Sequence, residues 1–460
     1  MTRLPKACII GAGSSGIAGA KTLLQRGIPF DCFEKSDEVG GNWAFGNRNG
    51  MSAAYKSLHI NTSRQRMEYP DFPMPADWPD FCHHSHIKRY FNDYVDHFGV
   101  RQHIAFETAV QHAARRPDGV WEVTLEGGEA REYDALVVAN GHHWDPRWPE
   151  PRFPGAFSGR EMHAHEYVDT TGFEGKNVVV LGMGNSAMDI AVEASLVADN
   201  VYLAARRGAW IIPNYIFGKP SDQMPNDPRL PVRVRLGIMQ KILETVQGRP
   251  EDFGLPKPDH RLGEAHPTVS NYVLSRIQHG EIQPKPNIAR LEGDRVRFSD
   301  GSVVEADIIV YCTGYKVTFP FFDASLVSAP DNDLPLFRRC FHPELDNLFF
   351  LALLQPLGAT MPLAEAQSKW IAHYLRGEYH LPSRAEVRRD IERERRRMFK
   401  RYVKSKRHTM QVDFDEYLVA LDKEIRAGMA RARRAGYALP VPAKAAASAG
   451  EPGTGEVVAA

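Results

Sequence analysis

Two glycine turns in this 460-residue chain have the spacing that grips a dinucleotide. The first is GAGSSG at 11–16. It follows the apolar run ACII at 7–10, opens the helical stretch IAGAKTLLQRG, and is succeeded by FDCFEK at 30–35. Strand, glycine turn, helix, strand and an acid about 20 residues on make up the dinucleotide fingerprint. Gly11 permits the tight turn, Gly13 lets a pyrophosphate reach the backbone, and Gly16 lets helix and strand pack closely. The helix start, with Ser14 and Ser15, offers N–H groups to phosphate. Glu34, followed by Lys35, can accept both ribose hydroxyls, so this site is expected to prefer an unphosphorylated ribose.

The second turn is GMGNSA at 182–187, between the buried-strand run NVVVLG and the helix NSAMDIAVEASLVA. Gly182, Gly184 and Ala187 keep the fingerprint spacing, with Asn185 and Ser186 inside it. The next strand, VYLAARRG at 201–208, carries no acid; Arg206 and Arg207 stand in its place. Guanidinium groups there suit a 2′-phosphate, so the second site is expected to hold NADPH rather than NADH. The competing reading is a solvated arginine pair beside a turn.

The surrounding elements repeat a plan. WEVTL at 121–125, the Gly127–Gly128 turn and REYDALVVANG at 131–141 predict a hairpin feeding a buried strand. VRFSDGSVVEADIIVYCTGY at 296–315 echoes it, with Asp300–Gly301 as the turn. Residues 83–98 predict a helix leading to Gly99, and YKSLHINTSRQRMEYPDFPMP at 55–75 predicts ordered loops. LFFLALL at 348–354 reads as a strand, followed by a Gly/Pro loop and a helix to about 377. From 385 to 430 the chain reads as helical and basic. The segment 209–290, rich in Pro and Arg, reads as an insertion with an amphipathic stretch within 234–246. The expected fold is α/β: two Rossmann-like domains, the second inserted into the first. Residues 1–156 and 313–440 form one, 157–312 the other, and 441–460 a disordered tail.

Composition narrows the functions. Lys plus Arg and Asp plus Glu number 57 each, so no global charge draws the chain to nucleic acid or anionic membrane. The basic stretch at 392–408 reads as a solvated helix face rather than a nucleic-acid patch. Five cysteines without a CxxC pair argue against a thioredoxin-type centre and a zinc ribbon; a sparse, odd count suits a reducing cytosol. His83, His84 and His86 are poorly spaced for a metal, and none is expected. The chain begins directly on a nucleotide motif, leaving no room for a signal peptide, and no apolar window of about 18 residues exists to span a membrane. No triad or paired carboxylates at catalytic spacing stand out, which fits chemistry carried by a cofactor.

Between the two glycine turns lies FSGREMHAHEY at 157–167. Its Phe157, Gly159, His163 and Tyr167 match the identifying pattern of the flavin-containing monooxygenases, and the chain resembles that family from about residue 7 to residue 425. HINTSRQRMEYPDFPMP, RRGAW, HPTVSNYVLSRI, CTGY and QPLGATMPLAEAQSKW also look familial. The resemblance implies FAD in the first fold and NADPH in the second. It implies oxygenation of a soft nitrogen or sulfur atom of a small molecule with O₂, through a flavin hydroperoxide. It places Gly41, Asn42, Trp43, Asn61, Thr62 and Gln355 near the flavin and makes Asn61 the expected catalytic residue; a local Asx turn with Thr62 and Ser63 is the alternative for Asn61. Asn42 departs from the family, which usually has leucine there. Tyr167 stands where typical Baeyer–Villiger enzymes carry tryptophan, which favours heteroatom over ketone oxygenation. The polar tail lacks the hydrophobic anchor of animal members, and a homodimer is compatible with the resemblance. An NADPH-dependent disulfide or quinone reductase and a non-catalytic flavoprotein are the other classes considered.

Overall fold

The computed structural model describes residues 3–224, 232–402 and 409–439. The tail expected to be disordered, 441–460, lies outside the described residues, as does part of the basic stretch at 392–408.

Two five-stranded parallel sheets organise the chain. In the first, the order is Leu348–Phe350, Ala135–Val138, Ala7–Ile10, Phe30–Phe33, Ile104–Ala105. In the second it is Arg160–His163, Ile308–Tyr311, Asn177–Leu181, Asn200–Ala205, Gln283–Pro286. Each sheet carries an antiparallel three-stranded meander on one face: Val110–Arg115, Trp121–Leu125 and Ala130–Tyr133 on the first, Ile288–Gly293, Arg295–Phe298 and Val303–Glu305 on the second, where Gly155–Phe157 adds a fourth strand in parallel. The chain thus builds one plan twice, and the second copy is inserted between strands of the first.

The apolar runs without alternation are explained by burial on both faces. Ala7 and Ile9 pack against helices Ser14–Gln25 and Met361–Leu375, while Cys8 and Ile10 face the meander of Trp121 and Val123. Val178 and Val180 likewise meet helix Asn185–Ala194, and Val179 and Leu181 meet the meander of Val296 and Phe298. Where the two copies join, Asp145–Pro146 going out pairs antiparallel with Tyr315–Lys316 coming back.

Three expectations need correction. The region 385–430 is two helices, Arg384–Arg401 and Phe414–Arg434. Between them Gln411–Asp413 pairs with Gln355–Leu357; backbone pairing to a distant segment overrides local helix preference there. In LFFLALL, strand pairing stops at Phe350, because Ala352 takes a left-handed φ of 53° and turns the chain toward the site. Gly159 of the linker pattern does not have a positive φ. A side chain there would reach 2.3 Å from the Asp307 carbonyl, so glycine is required by close approach of the second sheet's last loop. The segment 209–290 supplies helix Val232–Val246 and a small core around Trp210, Leu243 and Leu262, but its end, Gln283–Pro286, is the edge strand of the second sheet.

Candidate functional site

The first glycine turn ends in a helix whose start no side chain caps among the described residues. Gly13 is the N-cap of Ser14–Gln25 and offers no side chain to the first-turn N–H groups. These donors are orphaned by helix geometry and, with the helix dipole, favour an anion. Gly16 works behind the turn: a Cβ there would lie 1.8 Å from the Gly11 carbonyl oxygen. Gly41 closes the turn from above, with its own Cβ position 3.0 Å from Gly13 Cα. Glu34 is 6% exposed, and its carboxylate accepts from Ala12 N at 2.6 Å and Ser36 N at 2.8 Å. Burial pushes its pKa up and these backbone donors pull it back. Each oxygen keeps a free lone pair for a ribose hydroxyl.

The second turn has the same form. Gly184 caps helix Asn185–Ala194 without a side chain, and Asn185 Oδ1 accepts from Val269 N at 2.9 Å, tying the helix start to the insertion. Strand Asn200–Ala205 ends immediately before Arg206 and Arg207, which are both exposed. Arg207 Nε lies 3.7 Å from Asp259 Oδ2. Asp259, held low in pKa first by the His260 hydrogen bond at 2.9 Å, remains an anion for that pair. Arg206 has no partner among the described residues.

Both turns open into one cavity of about 2520 Å³, larger than a site for one small ligand. On its wall lie Gly11, Gly13, Ser14, Ser15, Glu34, Lys35, Gly41, Asn42, Trp43, Asn61, Thr62 and Gln355 from the first unit. Gly182, Gly184, Asn185, Ser186, Ala187, Arg206 and Arg207 line it from the second. Of the residues expected to hold a cofactor or to act in catalysis, Gly16 alone is outside the lining, buried behind the turn. Asn61 is exposed into the cavity. Its amide bonds to no described residue, and Ser63 N, the donor of the Asx-turn alternative, goes instead to Asp222 Oδ2 at 2.7 Å. Asn42 uses its carbonyl oxygen on Ala53 N at 2.9 Å, so the departure from leucine pins the 51–53 loop. His83 caps helix His84–His97, accepting from Ser85 N.

A family model described as flavin-binding monooxygenase-like matches residues 5–430. Flavin-containing monooxygenase 5 of Oryctolagus cuniculus is 37% identical over 433 residues, 89% of this chain and 81% of that protein. The chain belongs to the flavin-binding monooxygenase-like family. Dimethylaniline monooxygenase [N-oxide-forming] 2 of the same animal is 34% identical, with 92% and 83% covered. Among solved structures, S-allyl-L-cysteine S-oxygenase from Allium sativum superposes with a TM-score of 0.69 at 25% identity, covering 94% and 93% of the two chains. The protein is thus a flavin monooxygenase, with FAD and NADPH as cofactors, and the two uncapped helix starts suit two pyrophosphates. No helix among the described residues is long and apolar enough to cross a membrane.

Several residues of this monooxygenase's site escaped sequence reading. Asp222 and Gln223 of the insertion reach Ser63 and Gln65, next to Asn61. Asp259 meets Arg207 from 52 positions away. Neither contact has a local motif, because each depends on how the insertion folds back.

Proposed function

We propose that this monooxygenase places one oxygen atom of O₂ on a soft nucleophilic nitrogen or sulfur of a small molecule, with NADPH as reductant. The position of Asn61 carries this reading: an unengaged amide on the wall between the two glycine turns. FAD, when bound, stores the reducing equivalents and activates oxygen. The chain's residues do the rest. The first turn, Glu34 and Lys35 hold the FAD, with residues 1–156 and 313–440 as its domain. The second turn, Arg206 and Arg207 hold NADPH in 157–312. The Asn61 amide donates and accepts at once, so it can hold a reacting oxygen in place in a cavity from which bound cofactors would displace water.

N-oxide formation and S-oxygenation in the names of two relatives support a heteroatom as the target, and so does Tyr167 in the linker motif. The test is Asn61→Leu and Asn61→Asp, assayed with a tertiary amine, a sulfide and a ketone. FAD content is expected to be unchanged, and amine and sulfide products to be lost. Full turnover in either variant overturns the role of Asn61. Faster oxygenation of the ketone than of the other two by the unmodified enzyme overturns the heteroatom reading.

A further inference from the structure

Three hydroxyl-to-carboxylate bonds tie the second nucleotide helix to its surroundings, and two of them cross from the unit that carries Asn61. Asp189 and Glu193 sit one turn apart on helix Asn185–Ala194, so their side chains leave the same face. The Tyr55 hydroxyl donates to Asp189 Oδ2 and the Ser57 hydroxyl to Glu193 Oε1. The Tyr167 hydroxyl, from the linker, donates to Glu193 Oε2 at 2.5 Å. Tyr55 and Tyr167 are 4% and 1% exposed and meet edge-on with ring centroids 5.8 Å apart. Lys56 N donates to Val168 O at 2.9 Å beside them.

Asp189 and Glu193 are half-buried, and a carboxylate drawn partly out of water ordinarily finds a cation. Neither has one within salt-bridge distance among the described residues; both accept from hydroxyls. Burial pushes the Asp189 carboxyl up to about 6, with the Tyr55 hydrogen bond opposing and Glu193 adding. Both acids stand on the helix whose start would receive a dinucleotide's phosphates, where extra negative charge is unfavourable for binding. Their place is therefore poorly explained by affinity. It is well explained by geometry: Tyr55 and Ser57 lie on the segment that continues to Asn61, and Asp189 and Tyr55 both line the cavity.

We propose that Asp189 and Glu193 are positioning residues which, through Tyr55, Ser57 and Tyr167, fix how the second nucleotide helix faces the 55–61 segment and so the approach of the two cofactors. The inference rests on the FAD and NADPH assignment and is independent of the role of Asn61.

Tyr55→Phe, Asp189→Ala, Asp189→Asn and the Tyr55→Phe/Asp189→Ala double variant test it. In anaerobic single turnover at saturating NADPH, the Phe and Ala variants should slow flavin reduction by about 10- to 100-fold, since a misplacement near 1 Å can cost about a hundredfold. Their Kd for NADPH and their FAD content should stay near the parent's. Asp189→Asn keeps an oxygen that accepts from Tyr55 and should recover most of the rate; the double variant should be no slower than Asp189→Ala. In urea unfolding of the FAD-loaded protein, the two single effects should be non-additive. An unchanged limiting rate, a loss confined to Kd, an Asn variant as slow as Ala, or additive unfolding effects would each overturn the proposal.

Discussion

Arg206 and Arg207 are adjacent in sequence and unequal in surroundings. Arg207 is already in range of Asp259, whereas Arg206 is unengaged among the described residues. If the pair holds a 2′-phosphate, Arg206 gives a charge-assisted contact worth roughly 1.5–3 kcal/mol, and Arg207 must first be shared with Asp259. Arg206→Ala is therefore expected to raise the KM for NADPH about 10- to 100-fold and leave that for NADH nearly unchanged; Arg207→Ala should do less. Steady-state kinetics with both nucleotides decides it, and equal effects on the two would mean a structural pair. Residue types made the phosphate reading possible from sequence, because guanidinium replaced the acid at the end of the strand. The inequality was not legible, since Asp259 arrives through the insertion.

At the scale of elements, the seam between Ser14–Gln25 and Met361–Leu375 closes the first unit. These helices are brought together from opposite ends of the chain. Lys21 is fully buried in the seam, 2.8 Å from Glu365 Oε1 and 2.5 Å from Asp71 Oδ2, with Phe98 beneath its ammonium at 5.1 Å. Glu365 Oε1 also lies 2.9 Å from Lys369 Nζ, so removing Lys21 leaves that buried carboxylate with one ammonium instead of two. Lys21→Met should thus destabilise by less than the roughly 3–5 kcal/mol of a broken isolated buried pair, and joint replacement of Lys21 and Glu365 by apolar residues of similar size by less still. Urea unfolding of the three proteins checks this. The elements themselves were mostly readable: apolar runs bounded by glycine gave strands, and the hairpin signals at Gly127–Gly128 and Asp300–Gly301 fell between paired strands. What could not be read was pairing across distance. The strand Gln411–Asp413 interrupts a helical pattern for a partner 56 residues back, and the buried Lys21 looks in sequence like any solvent-facing lysine of an amphipathic helix.

For the whole molecule, the repeated sheet order was legible because each copy carries its own glycine turn, hairpin and buried strand in the same succession. The junction is where the copies depend on each other. His163 ends the outer strand of the second sheet, is 0% exposed, and packs against Trp148 and Tyr315 at 5.8 and 5.4 Å. Its Nδ1 accepts from His165 N at 3.0 Å. Burial, reinforced by His165, pushes its pKa down to about 4. An unfolded histidine takes its proton near 6.5, so between about 6.5 and 4 the unfolded chain binds more protons than the native one. Stability should fall as pH drops through that window and level off below it. His142 and His342, also pushed down to about 4 by burial, add to the slope. His163→Asn, which keeps a capping acceptor, should reduce the slope by one proton's share, about 1.4 kcal/mol per pH unit. Denaturant midpoints between pH 4 and 7 test it; parallel curves for the two proteins would place the titration elsewhere.

The order of the first sheet has a consequence for how the protein is made. Its outer strand, Leu348–Phe350, lies beside Ala135–Val138 but leaves the ribosome roughly 200 residues later, an interval of about 10–40 s at ordinary synthesis rates. Until then the nascent first half holds a bare sheet edge and an apolar face awaiting Met361–Leu375. The inserted copy needs nothing that comes later than Tyr311 to complete its own sheet. The guest can therefore be finished while its host is still open, and the cavity between them can close only after the last third of the chain has emerged.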